Sequence, residues 1–251
     1  MNKLLKILLV TILICAAIQL HAQVPEFLRK NSHKMEGEEF RGKIINANMP
    51  SFTEEGTKLD QLMTMRMMGS PEVGMDFYGD KDGNIVAILF REATKREQKA
   101  KLAALMARVD NGVWEDKEFP DFKAINMDWD KFNLSDFKGS VVALNFWFIG
   151  CKPCIMEMPE LNQLVAKYKG QDVKFIAVAL DSRDKLVPFL QRMEFDYDVV
   201  PDARKIAKKY DVAGYPTHFI IDQNGKVQFF QTGYNGALST IMDKKIEGLL
   251  K

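Results

Sequence analysis

Apolar positions along the chain change rhythm several times, and each rhythm predicts an element. VVALNFWFI (Val141 to Ile149) is a nearly continuous apolar run, as expected of a strand covered on both faces. In IMEMPELNQLVAKY, just downstream, Ile155, Met158, Leu161 and Val165 recur at helical spacing, which predicts a helix with one apolar face. VKFIAVALD (Val173 to Asp181) reads as a second buried strand, and KLVPFLQRM and ARKIAKKYDV as helices, the latter closed by Gly214. THFIIDQNGKVQFFQTG is two strands joined at Asn224-Gly225, a dipeptide suited to the positive dihedrals of a tight hairpin. LSTIMDKKIEGLL is a closing amphipathic helix, and FKAINMDWDKFNLSDFKG supplies a short hairpin and turn ahead of the first central strand. This order predicts an α/β domain with a mixed central sheet and helices on both faces.

The preceding stretch has a different pattern. KIINANMPSF, EVGMDFYGD and NIVAILFR read as strands, the last two joined near Asp82-Gly83. EATKREQKAKLAALMARV reads as an amphipathic helix and LDQLMTMRMMG as a shorter, methionine-rich one. A small α+β domain ending at Asn111-Gly112 is the economical reading. Met63, Met65, Met67 and Met68 can fill a core, line an adaptable peptide-binding surface or hold a soft metal. With no His or Cys beside them, copper is the weakest of the three.

At the N-terminus Lys3 and Lys6 precede the apolar run Ile7 to Ile18, and polar Gln19 and small Ala22 follow it. That is the charged, apolar and cleavage order of a secretory signal, and the run is short for a membrane span. Cleavage after Ala22 is expected, although Leu20 is larger than such sites prefer; an uncleaved segment would tether the protein to the membrane. Cys15 follows Ile14 rather than a small residue, so it reads as one more apolar residue of the signal and not as a lipidation site. The expected organisation is therefore a signal peptide over 1–22, an α+β domain over 23–115 and an α/β domain over 116–251.

Composition narrows the field. The 251 residues are 47% hydrophobic and 27% charged, with 35 Lys and Arg against 34 Asp and Glu. A net charge of +1 offers no broad basic surface for nucleic acid. Once the signal is removed, Cys151 and Cys154 are the two cysteines left. A disulfide across so short a loop removes little entropy from the unfolded chain, which makes the pair chemical rather than structural. A structural zinc site needs four ligands, and the histidines, His21, His33 and His218, are scattered. His218, inside the predicted strand THFII, reads as packed or solvated rather than as a ligand, so no metal and no bound cofactor is expected.

Cys-x-x-Cys at a helix start meets the needs of thiol-disulfide exchange, an attacking thiolate and a resolving thiol within reach. The first cysteine lies where orphan amides and the helix dipole favour negative charge, and the second shares its face. Cys151 is thus the expected nucleophile and Cys154 the resolving thiol. A thiol so placed beside a cation such as Lys152 is lowered by about one unit from about 8.5, nearer the thioredoxin range than the roughly 3.5 of a strong oxidant. Reduction or isomerisation is favoured over oxidation on that ground. Glu157, one turn beyond Cys154 on the same face, can take the resolving thiol's proton as general base; the competing reading is a solvated helix carboxylate. Pro159 interrupts the helix and should kink it.

LNFW before the cysteines, CKPC at the strand-to-helix junction, EMPELNQL after it and GYPTHFIIDQNGKV about sixty residues later together resemble the thioredoxin fold. The resemblance is to the TlpA/ResA-like thiol-disulfide oxidoreductases of bacterial envelopes, and it spans Lys117 to Lys251. It implies a thioredoxin-like sheet, a general-base role for Glu157 and a cis-proline at Pro216 beside the dithiol. Asn145 stands where ordinary thioredoxins carry a buried acid, so carboxylate work would fall to Glu157. Beside a cis-proline the Tyr215 backbone is free to pair with an extended substrate segment, as in strand addition. Tyr215 and Trp147 are the expected substrate contacts, with core packing the competitor for each. A peroxiredoxin would carry a threonine where this chain has Phe148, and copper carriers of this fold use a CxxxC spacing.

The expected function is thiol-disulfide exchange in a secreted or periplasmic setting. Its partners would be envelope protein thiols or disulfides and an unidentified electron-donor or acceptor protein, with the membrane involved only if the signal is retained. Two alternatives stand beside it: a disulfide-forming oxidase, and a redox-sensing binding module that works through its N-terminal domain.

Overall fold

A strand buried on both faces needs a neighbour on each edge and a layer on each side, and the run VVALNFW obtains all four. The computed structural model describes residue 28, residues 32–36, residue 39 and residues 43–106, 112–114 and 116–251; the predicted signal segment and Cys15 lie outside them. The chain divides into two units, residues 1–98 and 99–251.

In the first unit, strands β1 (His33–Lys34), β2 (Ser51–Thr53), β3 (Val73–Gly79) and β4 (Ile85–Glu92) form one sheet in the order β1-β3-β4-β2, with β2 parallel to β4. The β3–β4 turn closes where Asp82-Gly83 predicts it, with Gly83 at φ +76°. The strand expected from KIINANMPSF is reduced to its last two residues plus Thr53. Upstream, the Asn46 side chain accepts from the Asn48 amide at 2.9 Å, a local turn that competes with strand pairing. Helix α1 (Gln61–Gly69) starts at Asp60, whose carboxylate accepts from the Met63 amide. Its methionines divide: Met63 and Met65 are exposed, whereas Met67 and Met68 pack against the cluster of Phe77, Ile88 and Phe90. Helix α2 (Lys95–Met106) straddles the division and fully buries none of its residues, a weaker apolar face than the sequence promises.

The second unit opens with the small hairpin β5 (Lys123–Ile125) and β6 (Lys131–Asn133). Its main sheet holds β7 (Val141–Trp147), β8 (Val173–Ala179), β9 (Asp198–Val200), β10 (Thr217–Ile221) and β11 (Val227–Thr232) in the order β11-β10-β7-β8-β9. β7, β8 and β9 are parallel, and β10 runs antiparallel to both β7 and β11. β9, a three-residue edge strand, has no counterpart in the predicted elements; DVV is too short to carry a period.

Alternate residues of β7 feed two cores. Ala143 and Trp147 face helices α3 (Lys152–Lys167) and α6 (Leu238–Leu249), joining Met158, Leu161, Leu238 and Ile241. Leu144 and Phe146 face the other way, toward Phe119, Phe219 and the residues Ala207 and Tyr210 around helix α5 (Arg204–Lys209). Leu186 of helix α4 (Arg183–Leu190) joins the first core. Helix α3 runs through Pro159 without a break: a proline there forfeits one amide bond but does not end a helix whose apolar face is buried on both sides of it. The Asn224-Gly225 turn forms as predicted, with Gly225 at φ +86°.

Candidate active site

The site lies where the parallel strand β7 ends and α3 begins, the crevice at strand carboxyl ends in which open α/β sheets bind ligands. Leu180 donates to the Trp147 carbonyl, and the Ile149 amide donates to Asp181 Oδ2 at 2.7 Å, so both bonds tie the loop before the cysteines to the end of β8. Cys151 is the N-cap of α3, in extended backbone, and its Sγ accepts from the Cys154 amide at 3.3 Å. The pair is joined as a disulfide, with Cα atoms 5.3 Å apart. Cys151 is 5% exposed and Cys154 1%, so both are buried and Cys151 is the slightly more open residue.

One turn beyond Cys154, Glu157 is 1% exposed. A buried carboxyl needs partners, and this one finds them on the sheet. Asn145 Nδ2 donates to Glu157 Oε1 at 3.0 Å, and His218 Nε2 lies 3.1 Å from the same oxygen. Asn145 Nδ2 is also 3.2 Å from His218 Nδ1 and 3.3 Å from His218 Nε2. The β7–β10 register sets Asn145 directly opposite His218, so both side chains rise from one face of the sheet toward α3. Oε2 of Glu157 and the hydroxyl of Tyr197 are buried without a hydrogen-bond partner among the described residues. Burial, and then the nearby Glu157, push the Tyr197 phenol well above its ordinary value. The expected solvated-carboxylate alternative for Glu157 does not describe this position.

His218 is fully buried and bonded to Glu157, a partnership the sequence reading missed. A signal was available: Asn145 and His218 are the polar residues in two otherwise apolar stretches, VVALNFW and HFII, and buried polar groups are paired. Among the described residues no three of His, Cys, Asp and Glu are grouped so as to hold a metal ion.

The Tyr215-Pro216 bond is cis. Tyr215 is half-buried, its ring 5.4 Å from that of Phe148, which precedes the cysteines by three residues. Burial raises its phenol, partly offset by Arg204. Among the described residues the Tyr215 backbone makes no hydrogen bond. A depression of about 410 Å³ opens beside Tyr215, lined also by Arg204, Lys208 and Asp211. Trp147 is fully buried, its ring 5.6 Å from those of Phe189 and Phe195. That position favours core packing and leaves no surface to touch a substrate.

Comparison with known proteins places these features in a group. The AhpC/TSA family matches residues 116–230. The thiol-disulfide oxidoreductase ResA of Bacillus thuringiensis subsp. konkukian is 42% identical over 113 residues, 44% of this chain and 65% of that protein, so the chain spans under two thirds of that relative's length. The thioredoxin-like protein YneN of Bacillus subtilis is 32% identical over 126 residues, 49% of this chain and 74% of YneN. Among solved structures, a Chlorobium tepidum protein described as a thiol:disulfide interchange protein DsbE superposes with a TM-score of 0.51 at 33% identity, over 55% of this chain and 98% of that one. Through its C-terminal half the chain belongs to the thioredoxin-fold family of ResA-like thiol-disulfide oxidoreductases.

Proposed function

We propose that the protein exchanges thiols and disulfides with other proteins of the bacterial envelope, reducing or isomerising their disulfides without a bound cofactor. The observation that carries this reading is a Cys151–Cys154 disulfide capping a helix with buried Glu157 one turn behind it. The charged, apolar and small-residue order of residues 1–22 supports an envelope location.

In the reduced state Cys151 thiolate attacks a substrate disulfide, forming a mixed disulfide and expelling one substrate thiolate. Glu157 takes the proton of Cys154 Sγ. The Cys154 thiolate then attacks Cys151 Sγ, the bond to the substrate breaks and the internal disulfide returns. The second substrate thiolate takes up a proton, and two electrons have passed to the substrate. A donor dithiol reverses these steps on the enzyme. The Tyr215 backbone, without a hydrogen bond among the described residues, and the depression beside it support strand-like pairing of the substrate segment next to Pro216.

Insulin reduction by the full chain and by Cys151→Ser tests the reading. Loss of activity in the variant is expected, and equal activity would overturn the assignment of the nucleophile. A reduction potential near the roughly −120 mV of a strong oxidant would instead support disulfide formation. Cys154→Ser should trap envelope proteins as mixed disulfides; trapping none, with tight noncovalent association through residues 23–115, would favour the binding-module alternative.

A further inference from the structure

We infer that His218 is a positioning residue that assigns the two oxygens of Glu157 different work, and this rests on the exchange reaction proposed above. The contact between the imidazole and Glu157 Oε1 sets where the ring hydrogen lies. Asn145 Nδ2 donates to Glu157 Oε1 at 3.0 Å and lies at nearly equal distances from the two ring nitrogens of His218, 3.2 Å from Nδ1 and 3.3 Å from Nε2. An ionised carboxylate only accepts, so the imidazole, whose Nε2 lies 3.1 Å from the same Oε1, holds its hydrogen on Nε2 and donates it there. Oε1 is thereby saturated by two donors. Oε2, buried and without a hydrogen-bond partner among the described residues, is the oxygen left to exchange a proton.

Each bond in this set has a consequence for the resolving step. Donors aimed at a carboxylate favour its charged form over the neutral acid, so the loss of one donor shifts that balance toward the acid. They also fix its torsion, because rotation of the carboxyl would break two bonds at once. When the Cys151–substrate mixed disulfide resolves, the proton leaves Cys154 Sγ for Oε2. The Cys154–Cys151 bond forms, the Cys151–substrate bond breaks, and the expelled substrate thiolate is protonated from water. His218 keeps its own proton throughout.

Other groups around the imidazole do not replace it. From α3 it meets Glu157, with the Cys151–Cys154 disulfide a turn earlier on that helix; ahead of β9 stands the Tyr197 phenol, which Glu157 perturbs. From β11 the residue in register with it is the neutral Gln231, and from β7 the neutral Asn145. The buried side chains of α6, Leu238, Ile241, Met242 and Ile246, are apolar.

Three measurements on the full chain test the inference. The ¹⁵N shifts of the His218 ring in wild-type protein, oxidised and reduced, should report the Nε2–H tautomer in both states; an Nδ1–H tautomer would overturn the arrangement. His218→Gln retains a donor near Nε2, so its rate of mixed-disulfide resolution should stay within about threefold of wild type between pH 5 and 9. His218→Leu should slow that step about tenfold and move the acid limb of its pH profile upward. In a Glu157→Gln background His218→Leu should add no further slowing, since the histidine acts through the carboxylate. Glutamine as damaging as leucine would mean the ring must titrate, and leucine leaving rate and profile intact would make His218 a packing residue; either overturns the inference. An active Cys151→Ser enzyme would defeat the proposed function itself, while the tautomer would still be measurable.

Discussion

Asn145→Asp recreates, in this chain, the acid that ordinary thioredoxins carry at that position, and its cost can be worked from one distance. The amide nitrogen it replaces lies 3.0 Å from Glu157 Oε1, so two carboxylates would meet at that separation with almost no solvent between them. At an effective dielectric of about 20 their repulsion is about 5.5 kcal/mol, equivalent to about four pH units. The folded variant therefore keeps one extra proton, on either carboxyl or on His218, to well above the pH at which the unfolded chain releases it. A group that binds its proton more tightly when folded stabilises at low pH and loses that contribution as pH rises. Between about pH 4 and pH 7 the variant should lose about 3 to 4 kcal/mol relative to wild type, a large part of the 5 to 15 kcal/mol usual for a domain. Urea unfolding followed by tryptophan fluorescence, at half-unit steps of pH, measures it. Parallel stability curves for the two proteins would refute the Asn145–Glu157 contact and the site built on it.

Three further outcomes follow from other parts of the molecule. Leu161→Ala empties a position of zero exposure between α3 and the sheet and should lower the unfolding free energy by about 2 to 5 kcal/mol; a loss under about 1 kcal/mol in urea would contradict the packing described. In the first unit, Arg91 and then the Thr94 amide hold the Glu97 carboxyl at about 2, against an ordinary 4.5. A depressed carboxyl contributes stability above its ordinary value and loses it as pH falls toward 2, so Glu97→Gln should flatten the acid limb of that unit's unfolding, and an unchanged limb would exclude the Arg91 pairing. Asp181→Ala removes the acceptor of the Ile149 amide and should speed hydrogen exchange there about tenfold, with little change at Val178 in the centre of β8; equal exchange rates in both proteins would mean the loop is held by something else.

The parts of the fold visible in the sequence are those whose signal is local. Val141 to Trp147 and Val173 to Ala179 are apolar throughout because each is covered on both faces, and the Asn224-Gly225 turn needs a residue at φ +86°. Cys151, Cys154 and Glu157 were legible together because one helix repeats them at three-residue intervals. The elements misread are those decided elsewhere: β9 is three residues held by the edge of β8, and the stretch before Ser51 is bent by the Asn46 side chain. Trp147 sits so near the cysteines in sequence that a substrate contact is a natural expectation, yet strand alternation turns it into the same core as Phe189 and Phe195.

His218 illustrates what a periodicity reading leaves out. It lies 73 residues from Asn145, and only the antiparallel register of β10 on β7 brings the two opposite each other. Three polar side chains from β7, β10 and α3 are thus buried against helices that are otherwise apolar on that face. Breaking a buried pair of this kind costs about 3 to 5 kcal/mol, while replacing it whole by well-packed apolar groups is often neutral or stabilising. Stability alone would therefore allow leucine or methionine at all three positions, as the neighbouring Leu144, Phe219 and Met158 illustrate. A single polar residue in such a core can be accidental, but a set whose donors converge on one oxygen of the carboxyl beside a reactive disulfide is better explained by the proton that disulfide must exchange.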